Sequence, residues 1–128
     1  MTSIQPELWV DGPSAAVTFY EAAFGARVLH RVGVGDDIVA QLAVGDAAFW
    51  VAGTSATLRR LSPRAIDGAT SRLLVVEDPD SVIRRAVAAG ATESSPASNE
   101  HGWRLGRITD PFGHEWEIGV PLGAWPPH

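Results

Sequence analysis

Cysteine is absent from the chain, which removes disulfides, thiolate nucleophiles and Cys-ligated zinc at once. Basic residues are outnumbered: 10 Lys plus Arg stand against 15 Asp plus Glu, for a formal net charge of −5. The longest basic cluster is Arg59-Arg60 with Arg64 nearby, so a nucleic-acid partner has little electrostatic support. No apolar run is long enough to span a bilayer, and residues 1–7 lack a basic segment followed by an apolar one. The expected location is therefore cytoplasmic, with no membrane partner. A glycine-rich phosphate loop is also missing, because the glycines are scattered at turns. What remains is a chain of 128 residues, 45% hydrophobic, which suits one soluble domain with a substantial core.

The most informative stretch is Asp110-Pro111-Phe112-Gly113-His114-Glu115-Trp116-Glu117-Ile118. Pro111 pre-sets its own φ and Gly113 tolerates a positive φ, so Asp-Pro-Phe-Gly is a tight turn between strand-like residues 103–109 and 114–120. In the second of these strands Glu117 alternates with Trp116 and Ile118, which puts the carboxylate on the opposite sheet face from two large apolar groups.

The two halves of the sequence rhyme. Residues 4–10 read as a strand, followed by a helix opened by Gly12-Pro13-Ser14. Val17, Tyr20 and Phe24, with Ala16, Phe19 and Ala23 beside them, give that helix one broad apolar face, and Gly25 stops it. In the second half residues 72–76 are a strand. Asp78 then caps a helix with Pro79 at its first position; Val82, Ile83, Ala86 and Val87 form the buried stripe and Gly90 the end. Strand-like stretches follow each helix: 27–32, 38–44 and 47–52 in the first half, and 91–94, 103–109 and 114–120 in the second. Each half reads β-α-β-β-β, the mark of a duplicated unit. The expected organisation is a first module over about 1–53, a linker over 54–68 with a turn at 58–61, a second module over about 69–122 and a tail over 123–128. The polar segment 95–102 reads as a pocket-edge loop.

Three pieces of this pattern resemble the vicinal-oxygen-chelate superfamily of glyoxalase I, bleomycin-resistance proteins and extradiol dioxygenases. They are Phe19-Tyr20 through Phe24-Gly25-Ala26, Val76-Glu77-Asp78-Pro79-Asp80 through Ala88-Ala89-Gly90-Ala91, and Gly102-Trp103-Arg104 with the Asp-Pro-Phe-Gly-His-Glu-Trp segment. The third looks like the PhnB-like branch. The resemblance implies an α+β fold: two βαβββ modules whose strands curl into a cup with helices outside, usually paired as a homodimer. It also implies a divalent metal held by one side chain on the first and one on the last strand of each module. Carried onto this chain, those places fall at Gln5, Trp50, Ser71 and Glu117. Trp does not ligate metals and Ser is a poor ligand for Zn²⁺, Ni²⁺ or Fe²⁺, so only Glu117 is a sound metal ligand and no cofactor is expected.

Strand alternation sets Gln5, Glu7 and Trp9 on one face against Ile4, Pro6, Leu8 and Val10 on the other. If the apolar set packs under the helices, the first set lines the cup, and by the same parity so do Trp50, Ser71 and Glu117; otherwise Trp9 and Trp50 are core or dimer-interface residues and Glu7 is solvated. Two indoles with carboxylates suit an aromatic or cationic ligand. Arg104 either pins an anionic ligand group or pairs with Glu115 or Glu117 across the hairpin. His114 shares the face of Trp116 and reads as a structural histidine at the turn. His30 and His101 read as structural or surface residues.

The candidate ligand-binding residues are thus Gln5, Glu7, Trp9, Trp50, Ser71, Arg104 and Glu117. The leading expectation is a homodimeric small-molecule binder with an incomplete metal site, acting by sequestration or metal-free chemistry. Two alternatives stand beside it: a divalent-metal lyase, isomerase or dioxygenase, and a structural or regulatory dimer without a small-molecule ligand.

Overall fold

The computed structural model describes residues 3–55, 60–63 and 71–124. The expected turn at 58–61 lies partly, and the four terminal residues of the expected tail wholly, outside the described residues. The chain divides into two compact units, Met1–Gly68 and Ala69–His128.

The first unit holds β1 (Glu7–Val10), α1 (Pro13–Phe24), β2 (Arg27–Val32), β3 (Val39–Val44) and β4 (Ala47–Gly53). Its sheet runs β1-β4-β3-β2, with β1 parallel to β4 and the other pairs antiparallel. Pro13 occupies the first helical turn, where its missing N–H costs nothing, and Gly25 ends the helix at φ 66° with its N–H on the Glu21 carbonyl. The expected apolar face of α1 is the buried one: Ala16, Val17, Phe19, Tyr20, Ala23 and Phe24 all turn inward. Tyr20 meets Phe49 of β4 edge-on at 5.3 Å between ring centroids, which locks helix to sheet. Leu8 and Val10 are fully buried while Glu7 is exposed and Trp9 half-buried, as strand parity requires.

The second unit repeats the order with β5 (Ser71–Val75), α2 (Pro79–Ala88), β6 (Thr92–Glu100), β7 (Trp103–Thr109) and β8 (Glu115–Pro121). Its sheet runs β5-β8-β7-β6, and β5 lies parallel to β8. The Asp78 carboxylate accepts the Ser81 N–H at 3.2 Å, so the cap read from sequence is formed. Ile83 and Ala86 of the expected stripe are buried; Val87 is exposed. The helix reaches the sheet through Gly106, where an added Cβ would lie 2.5 Å from Ile83 Cδ1 and 3.1 Å from the Ala97 nitrogen. A side chain at this position would push Ile83 aside and press on the Ala97 backbone.

Segment 95–102 corrects the loop expectation. Residues Thr92–Glu100 form β6, the edge strand, paired to β7 with register shifts on either side of Ser95. Polar composition concealed the strand because an edge with few buried side chains needs little apolar sequence. Pro96 sits inside a bulge, where no ladder N–H is required. His101 and Gly102 then turn the chain with φ of 50° and 80°, the pair of positive values a two-residue type I′ hairpin demands.

Candidate functional site

Register carries each sheet's chemistry onto one face. In the first unit the pairings align His30, Gln41, Trp50 and Glu7 in a row across β2, β3, β4 and β1. The row lies opposite the helix-facing set of Leu8, Leu42, Phe49 and Val51. In the second unit the corresponding row is Ser95, Arg107, Glu117 and Leu73. Trp50 and Glu117 thus occupy equivalent places, as do Gln41 and Arg107. The duplication seen in sequence persists residue by residue in the ladders.

In the first unit two of these side chains, Gln41 and Trp50, converge on Gln5, just before β1. Gln5 Oε1 accepts the Trp50 Nε1–H at 2.8 Å and the Gln41 Nε2–H at 2.9 Å. Gln5 Nε2 donates in turn to Ser3 Oγ at 3.0 Å. Indole nitrogen only donates, so the Gln5 atom facing it must be oxygen; the Gln41 atom facing that same oxygen must then be its NH₂. One donor-only group therefore fixes two amides. Glu7 lies in register with Trp50 and approaches Arg60 at 3.8 Å, a half-exposed pair of small energetic weight. Trp9 sits one step along the same face, in register with Ala52.

In the second unit Glu117 Oε2 lies 3.1 Å from Arg107 Nη2, so the carboxylate meets a guanidinium already in place. Ser71 pairs in register with Glu115, and Leu73 with Glu117. Leu73 and Val75 are about half exposed on this face, at 49% and 54%.

Arg104 corrects the cross-hairpin expectation. It alternates with Gly106 and Ile108 on the helix-facing side and grips Asp80 of α2 through two bonds, Nε to Oδ1 at 2.7 Å and Nη2 to Oδ2 at 2.8 Å. The Arg104 hydrogen bond holds the Asp80 carboxyl below its ordinary pKa, and the same contact raises Arg104. A third bond, from Nη1 to Asn99 Oδ1 at 3.0 Å, ties in β6. Arg104 thus clamps helix to sheet, and Arg107, three residues on and on the opposite face, is the partner of Glu117.

Gln41 and Arg107 are the site residues sequence reasoning missed. Gln41 carried a signal: it is the one polar residue in the apolar strand Val39–Val44. His114 is buried, and its backbone N–H and C=O both bond Asp110, which matches the structural reading.

The four places that the resemblance marks for metal ligands do not form a fitting donor set. The Gln5 oxygen is taken by two N–H donors, Trp50 offers no lone pair in its ring plane, and Glu117 is engaged by Arg107. No group of three or more His, Cys, Asp or Glu residues positioned to hold a metal occurs among the described residues. No helix among them is long and apolar enough to cross a membrane.

Residues 3–118 match the family model of the Glyoxalase/Bleomycin resistance protein/Dioxygenase superfamily. The chain belongs to that superfamily. An uncharacterised protein of Mycobacterium bovis is 32% identical over 127 residues, covering 94% of this chain and 84% of its own length. Among solved structures, TioX from Micromonospora sp. ML1 is similar with a TM-score of 0.72 at 27% identity, covering 96% of this chain and 98% of TioX. A superfamily enzyme from Burkholderia phytofirmans reaches a TM-score of 0.75 at 20% identity, covering 91% and 95% of the two chains; at that identity the likeness speaks for the α+β fold alone. Superfamily membership accounts for the repeated βαβββ order and for the equivalence of Trp50 with Glu117.

Proposed function

We propose that this chain is a small-molecule binding protein of the glyoxalase/bleomycin-resistance type, taking a planar aromatic ligand on the helix-free face of its first sheet without a resident catalytic metal. One observation carries the reading: Gln5 Oε1 accepts hydrogen bonds from both Trp50 and Gln41. The two first-unit places where the superfamily would hold a metal have become an indole and the amide that orients it. A half-buried Trp held by its N–H offers its ring as a stacking surface at little further entropic cost.

The protein acts as a homodimer on this reading. Strand β2 is a sheet edge, and Val28, Leu29 and Val32 on it are 38%, 50% and 49% exposed. Such an edge calls for cover.

Elemental analysis and an aromatic ligand panel test the proposal together. The purified protein should hold no stoichiometric divalent metal, and a planar aromatic should quench the part of the emission that Trp50→Phe removes. Trp50→Ala should weaken binding by roughly 1–3 kcal/mol, the scale of a buried aromatic contact. Tight binding of one Zn²⁺, Ni²⁺ or Fe²⁺ per chain, lost on Glu117→Ala, would replace this reading with a metal-dependent enzyme. Trp50→Ala that lowers only the melting temperature would favour a structural or regulatory dimer.

A further inference from the structure

The hydrogen-bond chain through Gln5 has a second consequence, which rests on the aromatic-ligand reading. Gln41 must turn its NH₂ toward Gln5, because Gln5 must turn its oxygen toward the Trp50 N–H. That leaves the Gln41 Oε1 uncommitted among the described residues, on the strand position directly opposite Trp50. Cross-strand neighbours have Cβ atoms about 4.5–5.5 Å apart, so a ring lying on Trp50 brings its edge within reach of the Gln41 amide. The amide keeps one N–H as well as the oxygen. A half-buried acceptor whose orientation is fixed selects strongly, since a ligand lacking a donor would cover that oxygen and leave it unpaired.

We infer that Gln41 is the specificity-determining residue of this face: it selects a neutral planar heteroaromatic with a ring N–H beside a carbonyl, a lactam edge. The ligand N–H donates to Gln41 Oε1, and its carbonyl accepts from the remaining amide N–H. Gln5 is a positioning residue: it holds both the indole and the amide and contributes its own oxygen to neither the ligand nor an ion. The indole N–H is spent on Gln5, so Trp50 recognises by its ring face alone.

Calorimetric titration of the intact protein with quinolin-2-one and 1-methylquinolin-2-one tests this. The methyl group removes the donor and leaves the ring and the carbonyl. The parent protein should bind quinolin-2-one more tightly by roughly three- to tenfold, the worth of one buried hydrogen bond. Gln41→Leu should erase that preference: both compounds lose the amide N–H to their carbonyl, and quinolin-2-one, which also loses its acceptor, should weaken more. Gln41→Glu keeps an acceptor for the ligand N–H but sets an oxygen against Gln5 Oε1 and against the ligand carbonyl, so it should bind both compounds more weakly than the parent protein. Gln5→Leu should weaken both compounds and shift the Trp50 contribution to the emission spectrum. Equal binding of the two compounds by the parent protein, or a preference that survives Gln41→Leu, overturns the assignment to Gln41 and leaves the aromatic-ligand reading standing. Failure of both compounds to bind, with no change in the Trp50 emission, overturns that reading as well.

Discussion

Trp116 Nε1 donates to Asp110 Oδ2 at 3.0 Å, while Oδ1 of the same carboxylate accepts the backbone N–H groups of Phe112 and His114, each at 2.9 Å. Asp110 is 4% exposed. The Asp-Pro-Phe-Gly turn is therefore more than a proline and a glycine with suitable φ values. The carboxylate gathers three donors, two from the turn and one from the strand that follows, and so fixes where β8 begins.

Removing that acceptor should be costly. Asp110→Ala leaves three donors short of an acceptor in a buried position, with an expected loss of about 2–4 kcal/mol of stability. Asp110→Asn keeps one oxygen but turns an NH₂ toward either the indole or the backbone donors, with an expected loss of about 1–3 kcal/mol. Urea denaturation of the two variants checks the order. Equal loss would mean that neither the retained volume nor the single retained oxygen of Asn helps, and that the full carboxylate is what the three donors require.

The Arg104–Asp80 clamp predicts an acid limb in the stability profile. The folded carboxyl titrates below the unfolded value of about 3.9, because Arg104 bonds and attracts its charged form. The contribution is present above the unfolded pKa and is lost as pH falls through the lower folded one. Equilibrium unfolding between pH 6 and 2.5 should show a loss in the parent that Asp80→Asn and Arg104→Gln both flatten. In this acid limb the double variant should match either single one, since each removes the titrating pair, while Arg104→Gln, unlike Asp80→Asn, also loses the bond to Asn99.

Gly106→Ala should destabilise by about 1–3 kcal/mol, because its new Cβ overlaps Ile83 Cδ1 at 2.5 Å. Ile83→Val deletes that methyl group. Added to Gly106→Ala, it should cost less than its own single effect, a non-additivity read from denaturant midpoints.

Glu117→Gln should scarcely move stability, since the Arg107 pair is partly exposed, at 46% and 28% for the two side chains, and such pairs contribute about 0–1 kcal/mol. Urea midpoints of the parent protein and of Glu117→Gln check this, and a shift well beyond that range would mean that the pair carries weight in the second sheet.

Much of this was legible in the chain. Gly25 and the Asp78-Pro79 cap mark helix ends by backbone requirements that few residues satisfy, and they stand where the sequence puts them. The parity of Leu8 and Val10 against Glu7 and Trp9 is a steric fact of strands, and burial follows it. Register was not legible. Arg104 and Arg107 look alike in sequence, and only the pairing of Arg107 with Glu117 shows which shares a face with the carboxylate. The polar segment that became β6 gave no alternation, because an edge strand draws its order from the neighbouring β7.

The homodimer expectation has a direct check. Sedimentation at micromolar concentration should return twice the chain mass of 13.6 kDa. Replacing Leu29 with Arg on β2 should shift the equilibrium toward single chains if that edge is the contact. A parent protein that sediments as a single chain would end the dimer reading.

The edge strands β2 and β6 differ in how they would greet a foreign strand. Pro96 has no N–H to offer, and the shifts around Ser95 break the ladder spacing, so β6 is a poor template for strand addition. Strand β2 has one shift, between Val28 and His30, no proline, and exposed Val28, Leu29 and Val32. Under mildly denaturing conditions aggregation should begin at residues 27–32, and a proline or lysine placed there should delay fibril formation more than the same change in β6.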